Sequence, residues 1–546
     1  MKKLLLLMIF GCTIAATNLL SQVDFVVNDV QLPVIVNREN NIVTEIEIDN
    51  TSTEAVELSE LFFSFKHDKN TFTPKAVRVF YSGTMSGLKN RTSSWALNDE
   101  FKRIGGSQQI FCNPSYSLMK DEETKIREEF SLRPAQKLVP GKNYFIICLE
   151  VKKFKDLSST FTLDVTGYKI NDKIKSVKPT QSTRHRLAIG LKNHGDDGVY
   201  AFRIPGLVTS KKGTLLAVYD IRHNTSLDLQ ENIDIGLSRS FNGGKTWKKT
   251  QIIMDMGEYG GLPEAQNGVG DPCILSDDIT GDIYVFAIWT HGLGNNIAWN
   301  SSGNGMKPLE TAQLMYVKSS DDGESWSNPV NITEQVKDPS WRLLLQGPGR
   351  GITLQNGTLV VPIQYIDSAK IPNAGIMYST DRGKTWKASN YAQTNTTEAQ
   401  VAELTTGELM LNMRDNRGGF RSIFTTTDMG KTWKEHPTSR KALQEPVCMA
   451  SLLNIRKDEN ESGKDILLFS NPNQSKRPVR SKMTIKASLS QGESWDEKNQ
   501  LLLDEEWGWG YSCLTLIDRA TIGILYEGST SQLIFQSIKL KELLNE

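Results

Sequence analysis

The sequence predicts an all-β protein, a β-sandwich over residues 23–185 followed by a six-bladed β-propeller over residues 187–546. Three observations predict it. Short runs of alternating apolar and polar residues fill the first third, and a period of two specifies strands with one buried face. An eight-residue pattern, Ser-x-Asp-x-Gly-x-Thr-Trp, then recurs five times. At 546 residues the chain is also too long for one hydrophobic core, since single cores seldom grow past about 250 to 300 residues.

In chain order, residues 1–22 open with Lys2 and Lys3, continue into an apolar stretch and end in small residues, which is the pattern of an export signal. The expected location is periplasmic, outer-surface or secreted. Ile9-Phe10-Gly11-Cys12 also resembles a lipoprotein cleavage site, with Phe10 a poor fit, and cleavage near Ala16 or Ser21 is the preferred reading. No later run is apolar for long enough to span a bilayer. Basic and acidic residues balance at 63 each without a basic stripe, which argues against nucleic acid as a partner. Beyond the signal stand Cys112, Cys148, Cys273, Cys448 and Cys513. So sparse and odd a set predicts single buried thiols, with Cys112 and Cys148 close enough in sequence to pair. The six histidines lack metal-ligand spacing, so neither metal nor cofactor is expected.

Residues 31–37, 42–49, 76–82, 143–151 and 159–165 carry the alternation and are bordered by turn residues, as strands of a sandwich are. Nothing in this part looks catalytic. Accessory sandwiches bind glycans or act as spacers, and the sequence does not choose between these. Residues 178–185 lack periodicity and are the expected linker, with the second domain starting near Leu187.

The repeats follow. Two copies, ending at Trp326 and Trp386, are clear; those ending at Trp247, Trp433 and Trp495 are looser, with Asn242 and Ser490 in the acidic slot and Thr426 leading the fourth. Each position has a job in a tight turn between strands. The acidic slot accepts hydrogen bonds from turn amides, glycine takes angles barred to other residues, and tryptophan packs back onto the strands. With one or two carboxylates each, these turns fall short of the six to eight oxygens that Ca²⁺ prefers. Gly244, Gly323, Gly383, Gly430 and Gly492 are spaced like four-stranded blades with uneven loops. Five marked hairpins in about 360 residues leave room for a sixth, unmarked blade.

Between the repeats lie charged and phenolic residues in polar contexts beside apolar runs: Arg203, Arg222, Asp228, Asp271, Glu398, Arg414, Arg480, Tyr511 and Glu527. Arg203 sits in Phe-Arg-Ile-Pro-Gly, where Pro205 is expected to hold the residues leading into it in extended backbone. Taken together with Phe-Arg-Ile-Pro and the repeated turns, these residues resemble the exo-α-sialidases, in particular the secreted sialidases of Bacteroides-type bacteria. The resemblance covers nearly the whole chain, and the sandwich is similar to the accessory carbohydrate-binding-type domain of those enzymes.

The resemblance implies a retaining glycoside hydrolase acting on sialylated glycans. It makes Arg203, Arg414 and Arg480 a triad for the substrate carboxylate, with Glu527 orienting Arg203. It makes Tyr511 the nucleophile, Glu398 its base and Asp228 the acid/base, with Arg222 and Asp271 touching the sugar's carboxylate or ring substituents. The residue types suit the chemistry. Guanidiniums stay charged and grip carboxylates bidentately, and a neutral phenol approaches an anionic centre where a carboxylate nucleophile would be repelled. Two other readings use the same residues: a glycan-binding propeller without catalysis, and a trans-sialidase. Because every proposed site residue lies beyond the linker, residues 187–546 alone are expected to turn over a small sialoside.

Overall fold

The computed structural model describes residues 23–68, 70–86, 88, 117–122, 128–178, 182–295, 297–476 and 479–545, so the export signal, Cys12, Cys112 and Arg477 lie outside the described residues. Strands dominate, as the period-two runs require. In the first third, a five-stranded sheet is ordered Val23–Asp29, Asn41–Asn50, Gly141–Phe154, Phe72–Gly83, Ser117–Glu122. It shares one core with the strands Val56–His67 and Thr160–Ile170 of a second sheet, through Ile46, Ile48, Phe63, Phe65, Phe145, Leu163 and their neighbours. That is the sandwich the alternation predicts.

Five sheets follow. Each is built on consecutive antiparallel strands that begin at Ala201, Val269, Leu343, Thr396 and Ser451. The last three strands, Ser512–Asp518, Thr521–Tyr526 and Leu533–Lys539, are completed by His185–Lys192 from the start of this part of the chain.

The same His185–Lys192 strand also pairs with Thr160 and Phe161 of the sandwich, and runs parallel to Pro33–Ile35. The expected linker therefore ends inside a strand that belongs to both halves. Leu187 and Ala188 are buried there, and the first core continues past them into Phe202, Tyr219, Cys513 and Phe535. Removing residues 23–185 exposes that surface, so the structure does not favour the expectation that residues 187–546 work alone.

The repeated turns sit between strands and use their residues as expected. Ser379 Oγ accepts from the Gly383 amide at 2.8 Å, Asp381 Oδ1 accepts from the Thr385 amide at 2.9 Å, and Trp386 Nε1 donates to the Gly383 carbonyl at 3.2 Å. The bonds from Thr385 hold Asp381 down at about 2. In the looser copies, Asn242 Oδ1 accepts from the Thr246 amide at 3.0 Å and Ser490 Oγ from the Ser494 amide at 3.0 Å. The slot requires an oxygen acceptor and not a charge. Gly383 has φ +76°, and a Cβ there would stand 2.8 Å from the Tyr284 hydroxyl oxygen, so glycine is needed on two counts.

Trp386, only 2% exposed, sets its ring edge-on to Phe286 at 5.0 Å between centroids. Trp386→Ala is expected to cost about 3–5 kcal/mol in urea unfolding. An unchanged midpoint would show that the turn tryptophan does not carry the packing.

Candidate active site

Three irregularities in strand pairing place three of the predicted residues. Register shifts fall between Arg203 and Gly206, between Gly270 and Cys273, and between Thr396 and Ala399. A bulge adds a residue to one strand and re-aims the side chains around it. Arg203, Asp271 and Glu398 lie at these places, each on the first strand of its sheet.

The backbone before Pro205 corrects the sequence reading. Arg203 is extended and pairs with Asp220, but Ile204, directly before the proline, has φ +58°. A β-branched residue there costs on the order of 1–3 kcal/mol and persists only where its surroundings impose it. Here they do. The Ile204 amide donates to Glu527 Oε1 at 2.9 Å, and its side chain packs with Cys448, Met449 and Tyr511. Asp271 repeats the pattern with φ +59° before Pro272, its amide donating to Asp220 Oδ1 at 2.8 Å.

Arg203, Asp228, Asp271, Glu398, Arg414, Arg480 and Tyr511 line one cavity of about 450 Å³. Tyr511 follows Gly510, whose φ is +83°, and a Cβ on Gly510 would meet Pro472 at 2.6 Å. A Cβ on Gly508 would stand 2.6 Å from the Glu527 carbonyl oxygen, so the two glycines let this loop press closely against the protein on both sides of Trp509. The Tyr511 hydroxyl donates to Glu398 Oε1, Arg414 Nη1 donates to Glu398 Oε2 at 2.6 Å, and the same Nη1 lies 3.2 Å from the phenol oxygen. Burial and then the Glu398 charge push the Tyr511 phenol well above its usual value, against the pull of Arg414 and Arg480. At rest it is neutral, with a carboxylate in place to take its proton.

Glu527 stands behind the cavity, buried and absent from its lining. It accepts from Arg203 Nε at 3.1 Å, Arg203 Nη2 at 3.4 Å, the Ile204 amide and, at 3.1 Å, the Tyr511 amide. One buried carboxylate thus fixes both a guanidinium and the backbone of the tyrosine. The Arg203 guanidinium also lies under the Trp509 ring at 4.2 Å. Arg480 precedes the strand Met483–Ser488 and donates to the Trp509 carbonyl at 2.9 Å. Among the described residues it forms no salt bridge, which leaves its charge for an anion in the cavity.

Asp228 is on the loop after Leu215–Arg222, with a side chain 62% exposed. Its Oδ1 lies 2.8 Å from Arg222 Nη1 and 3.8 Å from Arg203 Nη1. Crowding by the surrounding cavity walls works to raise this carboxyl although its side chain is open to solvent, but the two guanidiniums outweigh it and hold it below the usual range. Arg222 does not line the cavity. It is buried behind Asp228, with Nη2 2.8 Å from Asp220 Oδ2. Arg222 thus reaches the cavity through its hold on Asp228. Asp271 does line the cavity, and burial, then Asp220 and Asp228, push its carboxyl well above the usual value, which favours the neutral acid.

Sequence reasoning missed Asp220 and Trp509. Asp220 is the one carboxylate inside the buried strand Leu215–Arg222, a position that rarely carries an unpaired charge and so was a usable signal. It also missed the apolar wall formed by Leu229, Ile288, Ile297, Trp299 and Leu345. Those residues look like any core. The nearby phenol of Tyr526 is fully buried among Leu514, Ile524 and Ile534, and its hydroxyl donates to Gln536, so it does not reach the cavity.

Comparison with known proteins gives the family. Residues 213–524 match the BNR repeat-like domain, and residues 22–174 match the N-terminal domain of BNR-repeat neuraminidase. The chain is similar to the sialidase of Bacteroides fragilis (strain YCH46), 48% identical over 547 residues and the full length of both. It is 30% identical to the sialidase of Micromonospora viridifaciens over 347 residues, 62% of this chain and 52% of that one. The solved Hadza microbial sialidase Hz136, 45% identical, superposes with a TM-score of 0.87 over 94% of this chain and 99% of that chain. Similarity that runs from the sandwich through every strand of the cavity leaves no part of the site outside the match, and the chain belongs to the BNR-repeat neuraminidases as a bacterial exo-α-sialidase, a glycoside hydrolase.

Proposed function

We propose that the enzyme removes terminal α-ketosidically linked sialic acid from glycoproteins, glycolipids and oligosaccharides with retention of configuration, through a covalent bond to Tyr511. The observation that carries this reading is the Tyr511 hydroxyl seated on the Glu398 carboxylate, with Arg414 against both. The substrate carboxylate is held by Arg203, Arg414 and Arg480. Glu398 takes the phenol proton as Tyr511 attacks the anomeric carbon, and Asp228 gives a proton to the departing oxygen. Asp228 then removes a proton from water, which attacks the same carbon, and Tyr511 leaves as Glu398 returns its proton. Asp271 meets a ring substituent as a hydrogen-bond donor.

The same proposal includes the setting. The sheets built on Ala201, Val269, Leu343, Thr396 and Ser451, with the sheet that His185–Lys192 completes, are read as six blades around an axis. Residues 23–185 form the accessory domain, and the export signal delivers the enzyme to the periplasm, outer surface or medium, where sialylated glycans are met.

Proton NMR on a sialyllactose tests the mechanism. Retention yields free sialic acid first as the α-anomer, which then mutarotates. First appearance of the β-anomer would exclude a covalent tyrosyl intermediate, and an anhydro or transferred sugar would replace hydrolysis by transfer.

A further inference from the structure

We propose that Arg38, in the N-terminal domain, is a positioning residue for catalysis: it fixes the segment that carries Glu527 and, through Glu527, Arg203 and Tyr511. The inference rests on the roles given above to those two residues.

The contacts form a short chain. Arg38 Nη1 donates to the Thr530 carbonyl at 2.7 Å, and Nη2 donates to Ser531 Oγ at 2.7 Å and lies 3.4 Å from Asn193 Oδ1. One residue upstream, the Ser529 amide and hydroxyl donate to Asp504 at 2.8 and 2.7 Å. The Glu505 amide, next along from Asp504, donates to the Gln31 carbonyl at 2.9 Å. Residues 31–38 therefore hold both segments that converge on the nucleophile: residues 505–511, which end in Tyr511, and residues 527–531, which begin with Glu527. These segments are laced to each other by the Tyr511 amide on Glu527 Oε2 at 3.1 Å and the Glu527 amide on the Tyr511 carbonyl at 2.9 Å.

The arm that presents Arg38 is itself rigid. Pro33–Ile35 pairs with Arg186–Ala188, the Val36 amide donates to the Ala188 carbonyl at 2.9 Å, and Asn41 Nδ2 donates to the Arg38 carbonyl at 3.0 Å. Burial pulls the guanidinium down to about 10, so it stays charged at neutral pH. A planar fork that reaches a carbonyl and a hydroxyl at once constrains direction as well as distance, which a single ammonium does not.

Arg414 and Arg480 lie on other segments and still hold the substrate carboxylate when Arg38 is lost. The damage falls on placement of the phenol, where a displacement near 1 Å costs up to about a hundredfold. In the full-length enzyme, Arg38→Ala is expected to lower kcat about tenfold with KM changed less than about threefold. Arg38→Lys restores part of kcat, and Ser531→Ala, which removes one of the two acceptors, falls between wild type and Arg38→Ala. Val34→Ala trims the same interface without touching residues 527–531, so it lowers Tm and leaves kcat intact at temperatures well below Tm. Unchanged kcat in Arg38→Ala, or losses in all the variants that simply follow Tm, would overturn the proposal. If Arg38→Ala does not fold, Arg38→Lys and Ser531→Ala decide by the same comparison. Activity of Tyr511→Phe in the same assay separates the two claims. An inactive Tyr511→Phe beside an unaffected Arg38→Ala sinks only this inference, whereas an active Tyr511→Phe sinks the mechanism beneath it.

Discussion

Tyr511→Phe is expected to keep substrate affinity and lose turnover by on the order of a thousandfold, the scale on which removing a catalytic nucleophile acts. Affinity survives because the phenol is one wall of the cavity, while the charges that grip the substrate carboxylate belong to Arg203, Arg414 and Arg480. The fold survives as well. The Tyr511 amide and carbonyl bonds to Glu527 do not involve the hydroxyl, and the ring keeps its place beside Ile204, Cys448 and Met449. Loss of the hydroxyl also leaves Glu398 bound only to Arg414, so the variant should bind a transition-state-like inhibitor at close to wild-type strength. Calorimetric titration with such an inhibitor, beside steady-state rates, separates binding from chemistry. A variant that loses both equally would place Tyr511 in binding alone.

Asp228→Ala should lower hydrolysis of a natural sialyl-galactoside by about 10²–10⁴-fold, the usual range for removing a general acid. An aryl sialoside, whose leaving group needs no proton, should lose far less. The pH dependence carries the sign. Arg222 and Arg203 outweigh burial and hold Asp228 below the usual carboxylate range in the free enzyme. The protonated form that the first step uses therefore shrinks as pH rises, and kcat/KM falls with it, since kcat/KM reports groups of the free enzyme. A substrate carboxylate placed among those guanidiniums cancels part of their field and lets Asp228 take up a proton on binding. In Asp228→Ala the decline toward alkaline pH should vanish. The same decline persisting in the variant would assign the proton donor elsewhere.

What was legible in the sequence was what depends on local pattern. Alternation located the sandwich strands, and the turn motif located five hairpins, because a strand face and a tight turn are decided within a few residues. The cavity residues Arg203, Asp228, Asp271, Glu398, Arg414, Arg480 and Tyr511 came from family resemblance, and they do meet. Three things were not legible. The left-handed backbone at Ile204 is imposed by Glu527, over 300 positions away, so no local rule foresees it. The place of Arg222 behind Asp228 depends on its bond to Asp220, a carboxylate that marks the strand as unusual without showing which residue it pairs with. The join between the halves was hidden because residues 178–184 are polar, although the strand that begins at His185 is shared by both sheets.

In the proposed mechanism the sugar becomes bonded to Tyr511. A fluorinated sialyl donor that forms the intermediate quickly and releases it slowly, followed by digestion and mass spectrometry, tests it most directly. The sialyl mass is expected on the peptide that contains Tyr511 and is expected to be absent from Tyr511→Phe. The same mass on a peptide holding Tyr526, Glu398 or Asp228 would contradict that mechanism.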